Sequence, residues 1–113
     1  MSEAQNILLV EDSEDDALLL QRILQNGGFE INLLRVETGD QLSKALELEK
    51  WDIVISDYSL PNFDGLSALG IVQKTAPAIP FIMISGKTNE EFAVEVMKAG
   101  AQDFISKSHL SRL

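Results

Sequence analysis

A chain of 113 residues can bury one hydrophobic core but not two, so we expect a single functional site. Apolar residues make up 45% and charged residues 24%, which is typical of a folded globular domain and excludes a disordered one. The formal charge of −9, without a separate Lys/Arg cluster, argues against nucleic acid as a direct partner, and the absence of cysteine excludes disulfides and thiolate metal sites.

The N-terminal segment, residues 1–6, is polar, and the apolar run that follows it ends at residue 10. Such a run is far too short for a signal peptide or a membrane span. We therefore expect a cytoplasmic protein that does not interact with a membrane.

Short apolar runs alternate with segments of helical periodicity along the chain. The predicted strands are residues 7–10, 31–36, 53–55, 81–84 and 104–105. The predicted helices are residues 15–26, 41–49, 65–75 and 90–99. Gly27 and Gly28 suit the end of the first helix, because glycine enters the left-handed region without steric cost, and the fourth helix ends at Gly100.

The fourth helix has the clearest amphipathic pattern. Its apolar or small residues recur at i, i+3, i+4 and i+7, and they are Ala93, Val96, Met97 and Gly100. This spacing predicts that one face packs on the core, while Glu91, Glu95 and Lys98 face water.

The apolar runs are continuous instead of alternating, which predicts strands covered by helices on both faces of a parallel sheet. The predicted fold class is a doubly wound α/β domain with a five-stranded parallel sheet in the flavodoxin-like order 2-1-3-4-5. We expect residues 1–113 to form one domain. Its fifth helix, beginning at residue 108, is expected to be truncated after about one turn.

Polar residues follow four of the predicted strands at the point where each strand ends. They are Glu11, Asp12, Asp57, Ser85 and Lys107. In the order 2-1-3-4-5 these four strands are neighbours, so we expect the polar side chains to converge at the carboxyl edge of the sheet. The second strand, at the sheet edge, ends in Glu37 and Thr38, which are expected to lie away from them.

The converging residue types indicate a particular chemistry. Crowded carboxylates repel one another unless a cation or proton is present, and oxygen ligands without His or Cys suit Mg²⁺ together with phosphate oxygens. The Ser85 hydroxyl can donate to a phosphoryl oxygen, and the Lys107 ammonium can pair with another. The sequence therefore predicts a site for Mg²⁺ and a phosphoryl group.

Each of these residues also has an ordinary structural interpretation. Asp12 or Ser13 could cap the first helix, Asp57 and Ser85 could be turn residues, and Lys107 could be a surface lysine. Their joint position at the ends of adjacent strands favours the shared site.

Four segments carry motifs that together span nearly the whole chain. They are ILLVED at residues 7–12, DIVISDYSLPNFDG at 52–65, PFIMISG at 80–86 and KAGAQDFISK at 98–107. In these segments the chain resembles the receiver domains of bacterial two-component response regulators.

The resemblance implies that Asp57 is the phosphoacceptor and Asp12 a direct Mg²⁺ ligand. It implies that Glu11 binds the ion mainly through water and that the backbone carbonyl of Ser59 completes the protein ligands. Both implications rest on the matching motif positions.

By the same resemblance, Ser85 and Lys107 bind the phosphoryl oxygens, and Ser85 and Phe104 form the switch. Phe104 would move inward when Ser85 moves toward the phosphoryl group. Phe104 replaces the commoner tyrosine and has no hydroxyl. Ser108 replaces the usual proline, which leaves the cis or trans state of the bond after Lys107 open.

The implied function is a phosphorylation-dependent switch that receives its phosphoryl group from a sensor histidine kinase or a histidine phosphotransfer protein. The output would pass to a partner or fused output domain at the fourth helix and fifth strand. The domain would promote its own phosphorylation and dephosphorylation and is not classed as an enzyme. The sequence does not fix the oligomeric state.

Two alternatives remain. A phosphohydrolase that forms an aspartyl phosphate needs a second acid two residues after the nucleophile, where this chain has Ser59. A non-catalytic interaction module would not need the complete acidic, hydroxyl and lysine set. The lone His109, past the fifth strand, is interpreted as a surface residue.

Overall fold

A computed structural model of the chain describes residues 5–28, 30–58, 65–85 and 90–106, except for the side chains of residues 90–93 and 106. Strands and helices alternate through this part of the chain. In order they are β1 (Gln5–Val10), α1 (Glu14–Asn26), β2 (Ile31–Val36), α2 (Gly39–Leu48), β3 (Ile53–Asp57), α3 (Gly65–Thr75), β4 (Phe81–Ser85), α4 (Glu90–Lys98) and β5 (Asp103–Ser106).

The five strands form one parallel sheet in the order β2-β1-β3-β4-β5, which confirms the predicted topology. The register sets the height of the strand ends. Val10 lies opposite Ser56 in the β1–β3 pair, so the residues that follow them, Glu11 after β1 and Asp57 at the end of β3, lie at the same level of the sheet. This register positions the candidate site.

Each face of the sheet has its own hydrophobic layer, because successive strand side chains point to opposite faces. One layer joins the sheet to α2, α3 and α4, and its most buried members are Leu8, Val10, Leu42, Val54, Ala68, Met83 and Val96. The other joins the sheet to α1 and contains Ile7, Leu9, Ala17, Leu20, Leu24, Ile55, Ile84 and Ile105. Helices on both faces confirm the doubly wound class.

Side-chain caps fix the starts of α1 and α2. The Ser13 hydroxyl accepts a hydrogen bond from the Asp16 N–H at 3.2 Å, and Thr38 does the same for Gln41 at 3.1 Å. Each bond satisfies a donor that the first helical turn leaves without a partner. Of the two residues considered for capping α1, Ser13 has this role.

Glycines follow the ends of α1 and α4. Gly28 has a φ of 91° and Gly100 a φ of 111°, a region that side chains disfavour. The predicted end of α1 at Asn26 is confirmed; of the two glycines that follow it, Gly27 has a φ of −76° and Gly28 is the one with a positive φ.

The packing face of α4 is narrower than its spacing predicts. Val96 is fully buried, but Met97 is 45% exposed, so its predicted packing is wrong. Met97 is rotated by about 100° from Val96, and the sheet beneath a single helix layer covers only a narrow stripe. Glu95 and Lys98 are exposed, as predicted, and the side chains of Glu91 and Ala93 lie outside the described residues.

Residues 107–113, which include the predicted start of a fifth helix, lie outside the described residues. None of the helices in the described ranges is long and apolar enough to cross a membrane.

Candidate functional site

Three carboxylates meet at the carboxyl edge of the sheet. One ligand oxygen from each of Glu11, Asp12 and Asp57 lies within 4.8 Å of the others. Glu11 is 1% exposed and Asp57 6% exposed, whereas Asp12 is open to solvent. Two of the three carboxylates are therefore removed from water beside a third, an arrangement that a divalent cation would stabilise.

Backbone contacts on both sides hold Glu11 in place. Its N–H donates to the Val36 carbonyl at 3.0 Å, and its own carbonyl accepts from Arg35 Nη1 at 3.2 Å. Its carboxylate Oε1 accepts from the Ser13 N–H at 3.1 Å. These bonds orient the side chain toward the other two acids.

Asp57 is the last residue of β3, and its neighbours fix its backbone. The Ser56 hydroxyl donates to the Asp57 carbonyl at 3.0 Å, and the Tyr58 N–H donates to the Ile84 carbonyl at 2.8 Å. The Gly65 N–H donates to the Tyr58 carbonyl at 3.0 Å, so α3 begins directly against this strand end.

Ser85 and Phe104 lie on the neighbouring strands. Ser85 is the last residue of β4 and is 2% exposed. Phe104, on β5, is half-buried, and its ring meets the edge of the Tyr58 ring with centroids 6.3 Å apart and planes at 72°. An aromatic contact thus links β5 to the residue after Asp57.

Ser59 and Lys107, two further predicted site residues, lie outside the described residues, and so does Ser108. Their roles stay predictions. The structure brings together the three acids, and the roles assigned to Glu11, Asp12, Asp57, Ser85 and Phe104 likewise stay predictions.

Among the described residues Glu37 is not part of the acidic cluster, but Arg35 links the end of β2 to Glu11. Arg35 contacts the Glu11 carbonyl and also pairs with Glu37 at 2.7 Å and with Glu14 at 3.3 Å. The hydrogen bond to Glu37 raises the pKa of Arg35 above its usual value, although burial partly offsets this. Sequence reasoning missed this residue, whose only signal was one charge inside an apolar run.

The fold and site together define a doubly wound α/β domain with an acidic cluster at its carboxyl edge. The model of the response regulator receiver domain family matches residues 7–113, and the chain belongs to this family.

Two curated relatives show the extent of the similarity. The transcriptional regulatory protein RprY of Bacteroides fragilis is 35% identical over 107 residues, which are 95% of this chain and 44% of RprY. The alkaline phosphatase synthesis transcriptional regulatory protein PhoP of Bacillus subtilis is 30% identical over 101 residues, 89% of this chain and 41% of PhoP. The chain thus spans less than half the length of these relatives.

Two solved structures are similar over nearly the whole chain. The phosphorylated cyanobacterial phytochrome response regulator RcpA has a TM-score of 0.83 and 26% identity, covering 98% of this chain and 86% of RcpA. A response regulator from Burkholderia pseudomallei, with a phosphorylated aspartic acid, a calcium ion and citrate, has a TM-score of 0.81 and 25% identity. The matched region covers 96% of this chain and 62% of the Burkholderia chain.

Proposed function

We propose that the chain is the phosphorylation-dependent switch of a two-component system and that Asp57 accepts the phosphoryl group. The observation that carries this proposal is the cluster itself, in which the Asp57 carboxylate lies within 4.8 Å of those of Glu11 and Asp12. The phosphorylated aspartic acid in the similar Burkholderia structure supports it.

The donor set fits a hard divalent cation. Three carboxylates without His or Cys are oxygen ligands of the kind that Mg²⁺ prefers, and an exposed Asp12 leaves room for water ligands. In this proposal Asp12, Asp57 and the Ser59 carbonyl would hold the ion, with Glu11 acting mainly through water. When bound, Mg²⁺ would compensate the charge of the phosphoryl oxygens.

Asp57 performs the chemistry as the nucleophile. One of its carboxylate oxygens attacks the phosphorus of a phosphohistidine in line, the oxygen–phosphorus bond forms, and the phosphorus–nitrogen bond to the departing imidazole breaks. The Lys107 ammonium and the Ser85 hydroxyl bind the phosphoryl oxygens. The protein contributes mainly positioning and electrostatic stabilisation.

The output follows from a shift between two conformations. Ser85 moves toward the phosphoryl group, and Phe104 follows inward, which changes its contact with Tyr58. Moving such an equilibrium from 1:99 to 99:1 requires about 5.5 kcal/mol. New contacts of the phosphoryl group and burial of Phe104 supply it.

The partners follow from this switch. A sensor histidine kinase or a histidine phosphotransfer protein donates the phosphoryl group, and a protein partner or fused output domain binds at α4 and β5. On α4, Val94 and Met97 are 53% and 45% exposed and offer an apolar contact. The domain acts in the cytoplasm. The chain has no cysteine and so forms no disulfide, which is compatible with that reducing compartment.

The domain resets itself when water at the same site hydrolyses the acyl phosphate. It promotes its own phosphorylation and dephosphorylation and so is a switch and not an enzyme with a separate substrate. Residues 1–113 act as one receiver domain.

Incubation with acetyl phosphate and Mg²⁺, followed by intact mass measurement, tests the proposal. The native chain should gain one phosphoryl group, and EDTA should prevent the gain. Asp57→Asn should gain none, whereas Asp103→Asn, which changes an exposed acid on β5, should behave as the native chain does. Equal labelling of Asp57→Asn and the native chain would refute the assignment.

A further inference from the structure

The Arg35 guanidinium joins three separate segments at the carboxyl edge of the sheet. Nη1 donates to the Glu11 carbonyl at 3.2 Å and to Glu37 Oε1 at 2.7 Å. Nη2 donates to Glu14 Oε1, in the first turn of α1, at 3.3 Å. One side chain on the edge strand therefore contacts the end of β1, the start of α1 and the residue after β2.

The contact with the Glu11 carbonyl differs from the other two. Glu14 and Glu37 have side chains 80% and 47% exposed, and ion pairs with exposed acids contribute little. The Glu11 carbonyl belongs to the peptide that joins Glu11 to Asp12. Its orientation therefore helps to set the direction in which both acidic side chains leave the backbone.

We propose that Arg35 is a positioning residue for the divalent-cation site, holding the Glu11–Asp12 peptide so that both acids face Asp57. The inference rests on the proposed function, because it assumes that the acidic cluster binds the ion. The Val36 carbonyl accepts a hydrogen bond from the Glu11 N–H at 3.0 Å. Both backbone polar groups of Glu11, its N–H and its carbonyl, are therefore held by β2.

The charge of Arg35 and its hold on the Glu11–Asp12 peptide predict opposite changes in Mg²⁺ affinity when Arg35 is replaced. A guanidinium near the cluster repels a divalent cation, so removal of its charge alone would strengthen Mg²⁺ binding. Loss of the hold on the peptide would weaken binding, because the carboxylates would have to be ordered by the ion itself. The direction of the change therefore separates the two roles.

The test compares Mg²⁺ affinity in the full chain by isothermal titration calorimetry. Arg35→Met, which keeps the apolar stem, should raise the Kd about tenfold, as expected for the loss of an outer-shell partner. Arg35→Lys should remain weakened, because one ammonium cannot replace the planar fork. The matched control, Glu14→Gln with Glu37→Gln, removes both ion pairs, keeps the bond to the Glu11 carbonyl and should shift the Kd by less than about threefold.

A second measurement needs no bound ion. In EDTA, hydrogen exchange of the Ser13 amide, which donates to Glu11 Oε1, should be about tenfold faster in Arg35→Met than in the native chain. If Arg35→Met does not fold, Arg35→Lys carries both measurements.

Native or tighter Mg²⁺ affinity in both Arg35 variants would overturn the positioning role, even if the native chain binds Mg²⁺ and Asp12→Asn does not. Failure of the native chain itself to bind Mg²⁺ would refute the cation site of the proposed function, and the role of Arg35 with it.

Discussion

At the scale of single residues, Gly65 shows how closely α3 approaches β3, the strand that carries the proposed phosphoacceptor Asp57. A Cβ built on Gly65 would meet the Met83 side chain and would lie 2.7 Å from the Asp57 carbonyl oxygen. Because the Asp57 backbone is part of the sheet, it can move aside only by shifting the carboxylate that it carries. Gly65 is therefore required because no side chain fits between α3 and the Asp57 backbone.

Gly65→Ala should lower the free energy of unfolding by about 1–3 kcal/mol, as overpacking does, in a urea titration. Displacement of Asp57 should also slow phosphorylation by acetyl phosphate roughly 10- to 100-fold. The control is Gly70→Ala in the same helix, where an added Cβ meets nothing within 4 Å. It should stabilise the protein by up to about 1 kcal/mol. Equal effects of the two substitutions would show that the close approach at Gly65 is irrelevant.

The sequence predicted the meeting of Glu11, Asp12 and Asp57 because strand ends in a parallel sheet share one edge. It could not predict the contact made by Arg35. That contact depends on the register that pairs Arg35 with Leu9, and a long-range register is not encoded in the local pattern. The burial of Glu11 likewise depends on how segments that are distant in sequence pack together.

At the scale of secondary structure elements, α1 and α2 lie on opposite faces of the sheet and begin with the same kind of side-chain cap. Ser13 and Thr38 each cap a helix through a side-chain oxygen. These caps precede helices in different hydrophobic layers, so their contributions should be independent.

Ser13→Ala and Thr38→Ala should each lower the free energy of unfolding by about 1 kcal/mol. In the double variant the two losses should add to within about 0.5 kcal/mol, because distant sites with no shared partner behave independently. Urea titrations of the four proteins test this. A coupling energy above about 1 kcal/mol would show that the two layers are not separate.

Element types followed from continuous apolar runs and helical periodicity, but details at the element ends did not. Met97 shares the helical spacing of Val96 yet is exposed, because the width of the buried stripe is set by the neighbours of α4 and not by its own sequence. Gly27 and Gly28 were equivalent in sequence, and only the fold assigns the positive φ to Gly28.

At the scale of the whole molecule, the acidic cluster adds local repulsion to a chain of net charge −9. Two unit charges 4.8 Å apart, the upper limit of the separation between these ligand oxygens, would repel by roughly 3 to 4 kcal/mol at an effective dielectric near 20. This repulsion lowers the stability of the folded domain, and a bound cation or the loss of one acid would relieve it.

Asp57→Asn should raise the free energy of unfolding in EDTA by about 1 kcal/mol, because it removes one of the crowded charges. It should also lose most of the stabilisation by Mg²⁺, which for the native chain is about 2.7 kcal/mol at 100 times the Kd. Asp40→Asn, an exposed acid in the first turn of α2, should give no gain and keep the Mg²⁺ effect. A native-like response of Asp57→Asn to Mg²⁺ would contradict this.

NMR with substoichiometric Mn²⁺ can show whether Glu11, Asp12 and Asp57 form one divalent-cation site. We expect the amide signals of Glu11, Asp12, Asp57 and Tyr58 to broaden first and the Asp12→Asn substitution to suppress this selective broadening. Broadening that instead begins at the opposite edge of the sheet, around Asp52, or that is unchanged in Asp12→Asn, would contradict this expectation.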